Sequence, residues 1–228
     1  MRIDIATLFP TMCEVVLNES IIGRARKANL VEINCHNIRD YSDDKHKRVD
    51  DYPYGGGKGM LIKAEPVYKC VKDICDMISN KPKIIYMSPQ GIKLDQRKVK
   101  ELSELENIIL ICGHYEGIDQ RLIDEIVDEE ISIGDYVVTG GELPALILTD
   151  AICRLLPGVL SEEACFKSES HYDGRLEYPQ YTRPREWKGR SVPEVLLSGH
   201  HANIERWQDE QSIKKTQDMK QMNIKNEK

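Results

Sequence analysis

Two short segments, residues 83–87 (KIIYM) and 107–112 (NIILIC), are apolar at consecutive positions rather than at alternate ones. A strand with one wet face alternates. A short run that stays apolar is covered on both faces, as in a parallel sheet packed between helices. Each run ends at a polar or glycine-bearing loop: Ser88-Pro89-Gln90-Gly91 after the first, Gly113-His114-Tyr115-Glu116-Gly117 after the second. A third such loop, Ser132-Ile133-Gly134-Asp135-Tyr136, follows residues 126–131. Ligands of open α/β sheets bind beyond the carboxyl ends of the strands, so the three loops predict one composite pocket.

The flanking segments agree with that class. Residues 2–9 (RIDIATLF) alternate as a first strand stopped by Pro10, and residues 31–38 form a second. Helical spacing runs through 12–29 (Met12, Val15, Val16, Ile22, Ala25), 65–79 (Val67, Val71, Ile74, Ile78), 95–105 and the apolar 143–156. Strand–loop–helix alternation predicts an α/β domain with a mostly parallel sheet. Residues 39–63, polar and carrying Gly55-Gly56-Gly57, show no period and read as a functional or mobile loop. Composition changes after Pro157, which divides the chain into a domain at 1–160, a linker at 161–175 and a small, mainly helical domain at 176–228. Ser198-Gly199 introduces a helix containing Trp207, and the tail beyond about Gln217 is expected to fray.

Several classes drop out. No stretch approaches the 18 consecutive apolar residues of a membrane span, and Asp4 interrupts the start where a signal peptide is apolar. Seven cysteines without a C-x-x-C pair fit reduced thiols in a cytoplasmic protein. Lys58 among the glycines at 55–59 does not complete a phosphate loop, and no G-x-G-x-x-G follows a strand. The net charge of −6 argues against a generic nucleic-acid binder, but it is unevenly spread. Residues 116–142 hold nine acids against Arg121 alone, whereas 176–228 carry a balance of +2.

Candidate site residues keep two readings each. Glycines 113, 117, 134, 140 and 141 with Tyr86, Ser88, Tyr115 and Tyr136 suit a flat heterocycle, or serve as turn punctuation. Arg154, between Ile152 and Leu155, recognises a polar group or snorkels. Glu169, His171 and Asp173 offer a general base or a solvated loop. Ser198, His200 and His201 read as a hydrolase fragment or, better, as a helix cap. Residues 181–190 (YTRPREWKGR) interleave aromatics with cations, which stack on unpaired bases and neutralise phosphates, or form a surface turn.

Longer strings then carry a resemblance over nearly the whole chain: IDIATLFP at the start, DKHKRVDDYPYGGGKGM, YMSPQG, ICGHYEGIDQR, ISIGDYVVTGGELPA, DAICRLLPGVL, EYPQYTRP and VPEVLLSGHHANIERW. Together they resemble the bacterial tRNA (guanine-N1)-methyltransferases of the TrmD type. The resemblance implies a SPOUT-type α/β fold, a trefoil-knotted parallel-sheet domain followed by the small, mainly helical one. Patterning alone would not lead to a knot, since true knots are rare. It also implies a homodimer, a tRNA site built from both subunits, and no membrane or DNA partner. The implied reaction is methylation of the guanosine 3′ of the anticodon, position 37, using S-adenosyl-L-methionine and magnesium whose ligands the strings do not identify.

By the same resemblance the donor lies against Tyr86, Met87, Ser88, Pro89, Gly113, Tyr115, Glu116, Gly117, Ser132, Ile133, Gly134, Asp135, Tyr136, Val137, Val138, Gly140 and Gly141. Acids such as Glu116 also suit a cationic sulfonium. Arg154 matches the family's guanine-supporting arginine, and Glu169 stands where the family commonly has the basic Asp. For tRNA the implied residues are Lys45, His46, Lys47, Arg48, Arg183, Arg185, Lys188, Arg190, His200, His201 and Trp207. Two alternatives stay open: an RNA-binding homologue that lost its base, and a methyltransferase of another RNA.

Overall fold

The structure, a computed structural model, describes residues 1–161 and 169–226. The chain divides into two compact units, residues 1–162 and 163–228.

In the first unit β1 (Arg2–Thr7) lies between β2 (Glu32–Asn37) and β6 (Asn107–Cys112). Beyond β6 come β5 (Lys83–Lys93) and β7 (Glu129–Ser132), and every pairing is parallel. The two apolar runs occupy the middle of this sheet. Ile108 through Cys112 are buried without exception, as a strand covered on both faces requires. One face packs against α1 (Pro10–Leu17), α2 (Ser20–Lys27), α4 (Gln96–Ser103) and α6 (Glu142–Cys153), through Leu17, Ile22, Leu102 and Leu148. The other packs against α3 (Ala64–Asp76) and α5 (Gln120–Ile126), through Val67, Ile74 and Leu122.

The connections position the loops. From β6 the chain passes through α5 to β7 on the far side of β5, so it must return across the sheet to reach α6. That return is residues 133–141. It ends where Gly140 bridges His114 and the Gly141 N–H donates to the Gly113 carbonyl at 2.8 Å. A crossing of this kind is consistent with the knot the resemblance implied.

Several elements differ from the expectation. The helix read over 12–29 is two helices, broken after Leu17. Asn18 gives its side-chain amide to the Glu14 carbonyl at 2.8 Å, a local bond that competes with helix continuation. Ser88-Pro89-Gln90-Gly91 is not a loop beyond β5 but an irregularity inside it, since pairing with β7 shifts register between Met87 and Ile92. Residues 39–63 contain a short 3-10 turn, Ile38–Tyr41, and a small antiparallel pair, β3 (Asp50–Asp51) with β4 (Leu61–Ile62). The segment at 126–131 is strand only in its second half: α5 ends at Ile126, and β7 begins at Glu129.

In the second unit β8 (Glu186–Trp187) and β9 (Arg190–Ser191) form a two-stranded ribbon, followed by α7 (Glu194–Leu197) and α8 (His201–Asn226). Leu176 is fastened to α8 twice: its N–H donates to Thr216 Oγ1 at 2.9 Å, and its carbonyl accepts from Ser212 Oγ at 2.6 Å. Beyond Gln217, where fraying was expected, the chain is still helical. Gln, Lys and Met are good helix formers, and α8 continues to Asn226. Among the described residues no helix is long and apolar enough to cross a membrane.

Candidate active site

A cavity of about 290 Å³ opens beside the irregular middle of β5 and at the carboxyl ends of β6 and β7. From β5 come Tyr86, Met87, Ser88 and Pro89, the first three buried. Burial, with the nearby Glu130 carboxylate, pushes the Tyr86 phenol up to about 12, so the hydroxyl keeps its proton at neutral pH.

The loop after β6 supplies the floor. A Cβ on Gly113 would lie 2.6 Å from the Tyr86 hydroxyl oxygen, so only glycine lets the strand end approach the phenol. Tyr115 follows with φ of 60°, a conformation unusual for a residue with a side chain. The loop is held from outside: Glu116 N–H donates to the Met60 carbonyl at 3.1 Å, and Ile62 N–H to the Gly117 carbonyl at 3.0 Å. The glycine-rich segment thereby becomes a neighbour of the cavity. His114 Nδ1 accepts from the Tyr115 N–H at 2.9 Å, and its ring packs 5.2 Å from Phe9.

The third loop closes the cavity. Ser132 Oγ both donates to the Gly134 carbonyl (3.0 Å) and accepts from the Gly134 N–H (3.2 Å), tightening the turn that carries Ile133, Tyr136, Val137 and Val138 onto the wall. Gly140 and Gly141 finish the lining.

Fifteen of the seventeen residues expected at the donor thus line one cavity; Gly134 and Asp135 do not. Gly134 serves the turn, and the Asp135 carboxylate pairs with the Lys93 ammonium. Among the nine lining residues that the sequence reading missed are Gln90, His114, Glu130, Thr139 and Pro144. His114 and Pro144 lie inside the quoted strings ICGHYEGIDQR and ISIGDYVVTGGELPA, which would have supported including them.

The acidic segment is mostly structural. Asp119 holds Arg121 at 2.6 Å, Glu129 meets Lys98 at 2.9 Å, and Asp128 accepts from the Ile84 N–H at 2.8 Å. Glu116 and Glu130 are the members that bring carboxylates to the lining.

Arg154 caps the carboxyl end of α6 and is half-buried. Glu169 belongs to the second unit, where it too is half-buried and its carbonyl accepts from the Tyr172 N–H at 3.3 Å. Among the cations expected at RNA, Arg48 is held by Asp44 at 3.1 Å and Arg185 by Glu194 at 2.6 Å. The Arg48 hydrogen bond and backbone N–H groups hold the Asp44 carboxyl down to about 2. Lys47 pairs with Asp40, whereas Lys45 and His46 project from the same exposed stretch. Lys188 lies 4.9 Å over the Trp187 ring, and Trp207 packs 6.4 Å from Tyr181. Arg183, Arg190, His200 and His201 are exposed. Among the described residues no group of three or more His, Cys, Asp or Glu is arranged to hold a metal ion.

With this geometry in hand, comparison with known proteins is specific. The family model described as tRNA (Guanine-1)-methyltransferase TrmD matches residues 1–226. The tRNA (guanine-N(1)-)-methyltransferase of Ruminiclostridium cellulolyticum is 62% identical over 218 residues, 96% of this chain and 94% of its own length. Those of Alkaliphilus oremlandii and Clostridioides difficile are 55% and 53% identical, each over at least 95% of this chain. The cavity-forming loops and the match along almost the entire length agree, and the chain belongs to the TrmD family of tRNA (guanine-1)-methyltransferases, of the SPOUT class.

Proposed function

We propose that the protein transfers a methyl group from S-adenosyl-L-methionine to N1 of the guanosine at tRNA position 37, acting as a homodimer. The observation that carries this reading is the convergence of the irregular middle of β5 and the loops after β6 and β7 on one cavity, in a chain that matches the methyltransferase family throughout. The cavity fits the donor. At about 290 Å³ it is near the lower end of small-molecule sites, about 300–1,000 Å³. Its walls combine glycine backbone, apolar Ile133 and Val138, and the carboxylates of Glu116 and Glu130. When bound there, S-adenosylmethionine supplies an electrophilic methyl group on a cationic sulfur.

The residues of the chain have three tasks. Backbone groups of Gly113, Gly140 and Gly141, with the Tyr86 hydroxyl, hold the donor in one pose, since alignment of the reacting atoms dominates a displacement of this kind. Guanine N1 carries a proton at neutral pH, and Glu169 accepts it. Its longer side chain carries the carboxylate that the family's Asp commonly provides. As that proton leaves, negative charge grows on the guanine carbonyl oxygen, and the Arg154 guanidinium offsets it. Magnesium is assigned no step.

Support for the second copy comes from apolar side chains left in water. Met12, Val15 and Val16 on α1 and Leu143 and Ile147 on α6 are exposed, and the two helices pack together. The substitution of Glu for the usual Asp at 169 favours one rival, a homologue that binds RNA without methylating it. Single-turnover transfer to tRNA transcripts with and without the position-37 guanosine, followed by mass mapping, decides between them. N1-methylguanosine at position 37 alone is expected; no methylation, or methylation elsewhere, overturns the proposal.

A further inference from the structure

One buried acid has no task in the scheme above. Glu142 opens α6 and is only 3% exposed, although its neighbours in the chain line the cavity. Its Oε1 accepts from the hydroxyl of Thr7, itself fully buried at the end of β1, at 2.7 Å. The Thr7 oxygen in turn accepts from the Phe9 N–H at 2.9 Å. The Phe9 N–H occupies a lone pair of the Thr7 oxygen and leaves the hydroxyl proton for the carboxylate, which has none of its own to give.

The second carboxylate oxygen faces the returning loop. A Cβ on Gly140 would fall 2.4 Å from Glu142 Oε2 and 2.8 Å from His114 Cδ2, so loop, carboxylate and imidazole meet at one backbone atom. Gly140 also bridges His114, and Gly141 donates to the Gly113 carbonyl. Phe9, tied to Thr7 through its N–H, packs its ring against His114 at 5.2 Å. The carboxylate therefore joins β1 to the returning loop, which itself pairs with the loop after β6. A charge buried this deeply is costly unless its partners are kept, which makes the arrangement stiff. Its place in the first turn of α6 adds the favourable field of the helix N-terminus.

We propose that Glu142 is a positioning residue: anchored by Thr7, its buried carboxylate sets the Gly140-Gly141 backbone against Gly113 and so shapes the donor-binding wall. The proposal rests on the reading of the cavity as the S-adenosylmethionine site. It assigns Thr7, some 130 residues away in sequence, to the same unit.

The test is isothermal titration of S-adenosylmethionine into the full-length wild type, Thr7→Ser, Thr7→Val and Glu142→Ala. Thr7→Ser keeps the hydroxyl and is expected to bind within about twofold of wild type, whereas Thr7→Val and Glu142→Ala weaken binding about tenfold, the size of a lost buried hydrogen-bond partner. In steady state the KM for the donor rises in the latter two, while the KM for tRNA and the kcat at saturating donor stay near wild type. A residue that only stabilised the fold would lower melting temperature without moving the donor's Kd. Equal affinity in Thr7→Val and Thr7→Ser overturns the proposal, also where Glu142→Ala does not fold. Wild-type protein that takes up no donor overturns the reading of the cavity itself, and this inference with it.

Discussion

Gly113 and Tyr86 contend for the same volume, and the outcome depends on a single missing methyl group. Valine at 113 would drive its Cβ into the buried phenol, 2.6 Å away, and displace either the ring or the loop. Overpacking of this kind costs about 1–3 kcal/mol, so Gly113→Val is expected to weaken donor binding by about tenfold or more in titration calorimetry. Unchanged affinity would remove the cavity from the mechanism. Glu169→Gln is expected to slow single-turnover methyl transfer by about 10²-fold, the usual scale for loss of a general base, with donor affinity retained. A rate near wild type would move the base elsewhere. Asp4 gives a third residue-scale test. Its burial alone would raise the carboxyl's pKa, but hydrogen bonds from His36 and Arg2 outweigh it and hold the group below its ordinary value. A pKa depressed by folding contributes stability above the unfolded value and loses it as pH falls through the folded one. Urea midpoints should therefore drop below about pH 4, and Asp4→Asn should show a flatter acid limb. Parallel limbs in the two proteins would discard the assignment.

Among elements, β6 is the one the fold can least do without. It pairs with β1 on one side and β5 on the other, and Leu110 at its centre is fully buried. Leu110→Ala should cost about 2–5 kcal/mol in equilibrium urea unfolding, the range for truncation in a well-packed core. A loss under 1 kcal/mol, on the order of a surface substitution, would place Leu110 outside the core. This strand was also the easiest to read, because both of its faces are apolar and no other element leaves so plain a trace. The helix α5 left none. Its seven residues carry acids at 124 and 125, and Leu122, Ile123 and Ile126 make too short a period to separate from strand. The break between α1 and α2 was hidden for another reason: Met12 through Ala25 keep helical spacing across it, and only the Asn18 bond to Glu14 marks the stop. The irregularity in β5 depends on β7, a partner some forty residues away.

At the scale of the molecule, charge bears on how RNA is held. Arg185 is already neutralised by Glu194, while Arg183 is exposed. If both reach phosphates, Arg183→Ala should make the slope of log affinity against log salt shallower by about 0.7, the increment for one contact on a single strand. Arg185→Ala should change it less. Filter binding of tRNA between 50 and 200 mM salt, on the order of the range where such contacts are lost, measures both. An unchanged slope for Arg183→Ala takes that residue off the RNA.

The order of residues along the chain was enough to establish the α/β class, the buried central strands, the loop after β6 and the family. Those properties are written locally, in hydrophobic period, in turn residues and in strings long enough to recognise. Tertiary structure alone decided that β7 lies beyond β5, that the returning loop brings Gly140 to His114, and that Glu142 finds Thr7. Contacts across so many residues follow from the path the backbone takes over the sheet, and no local period records a path.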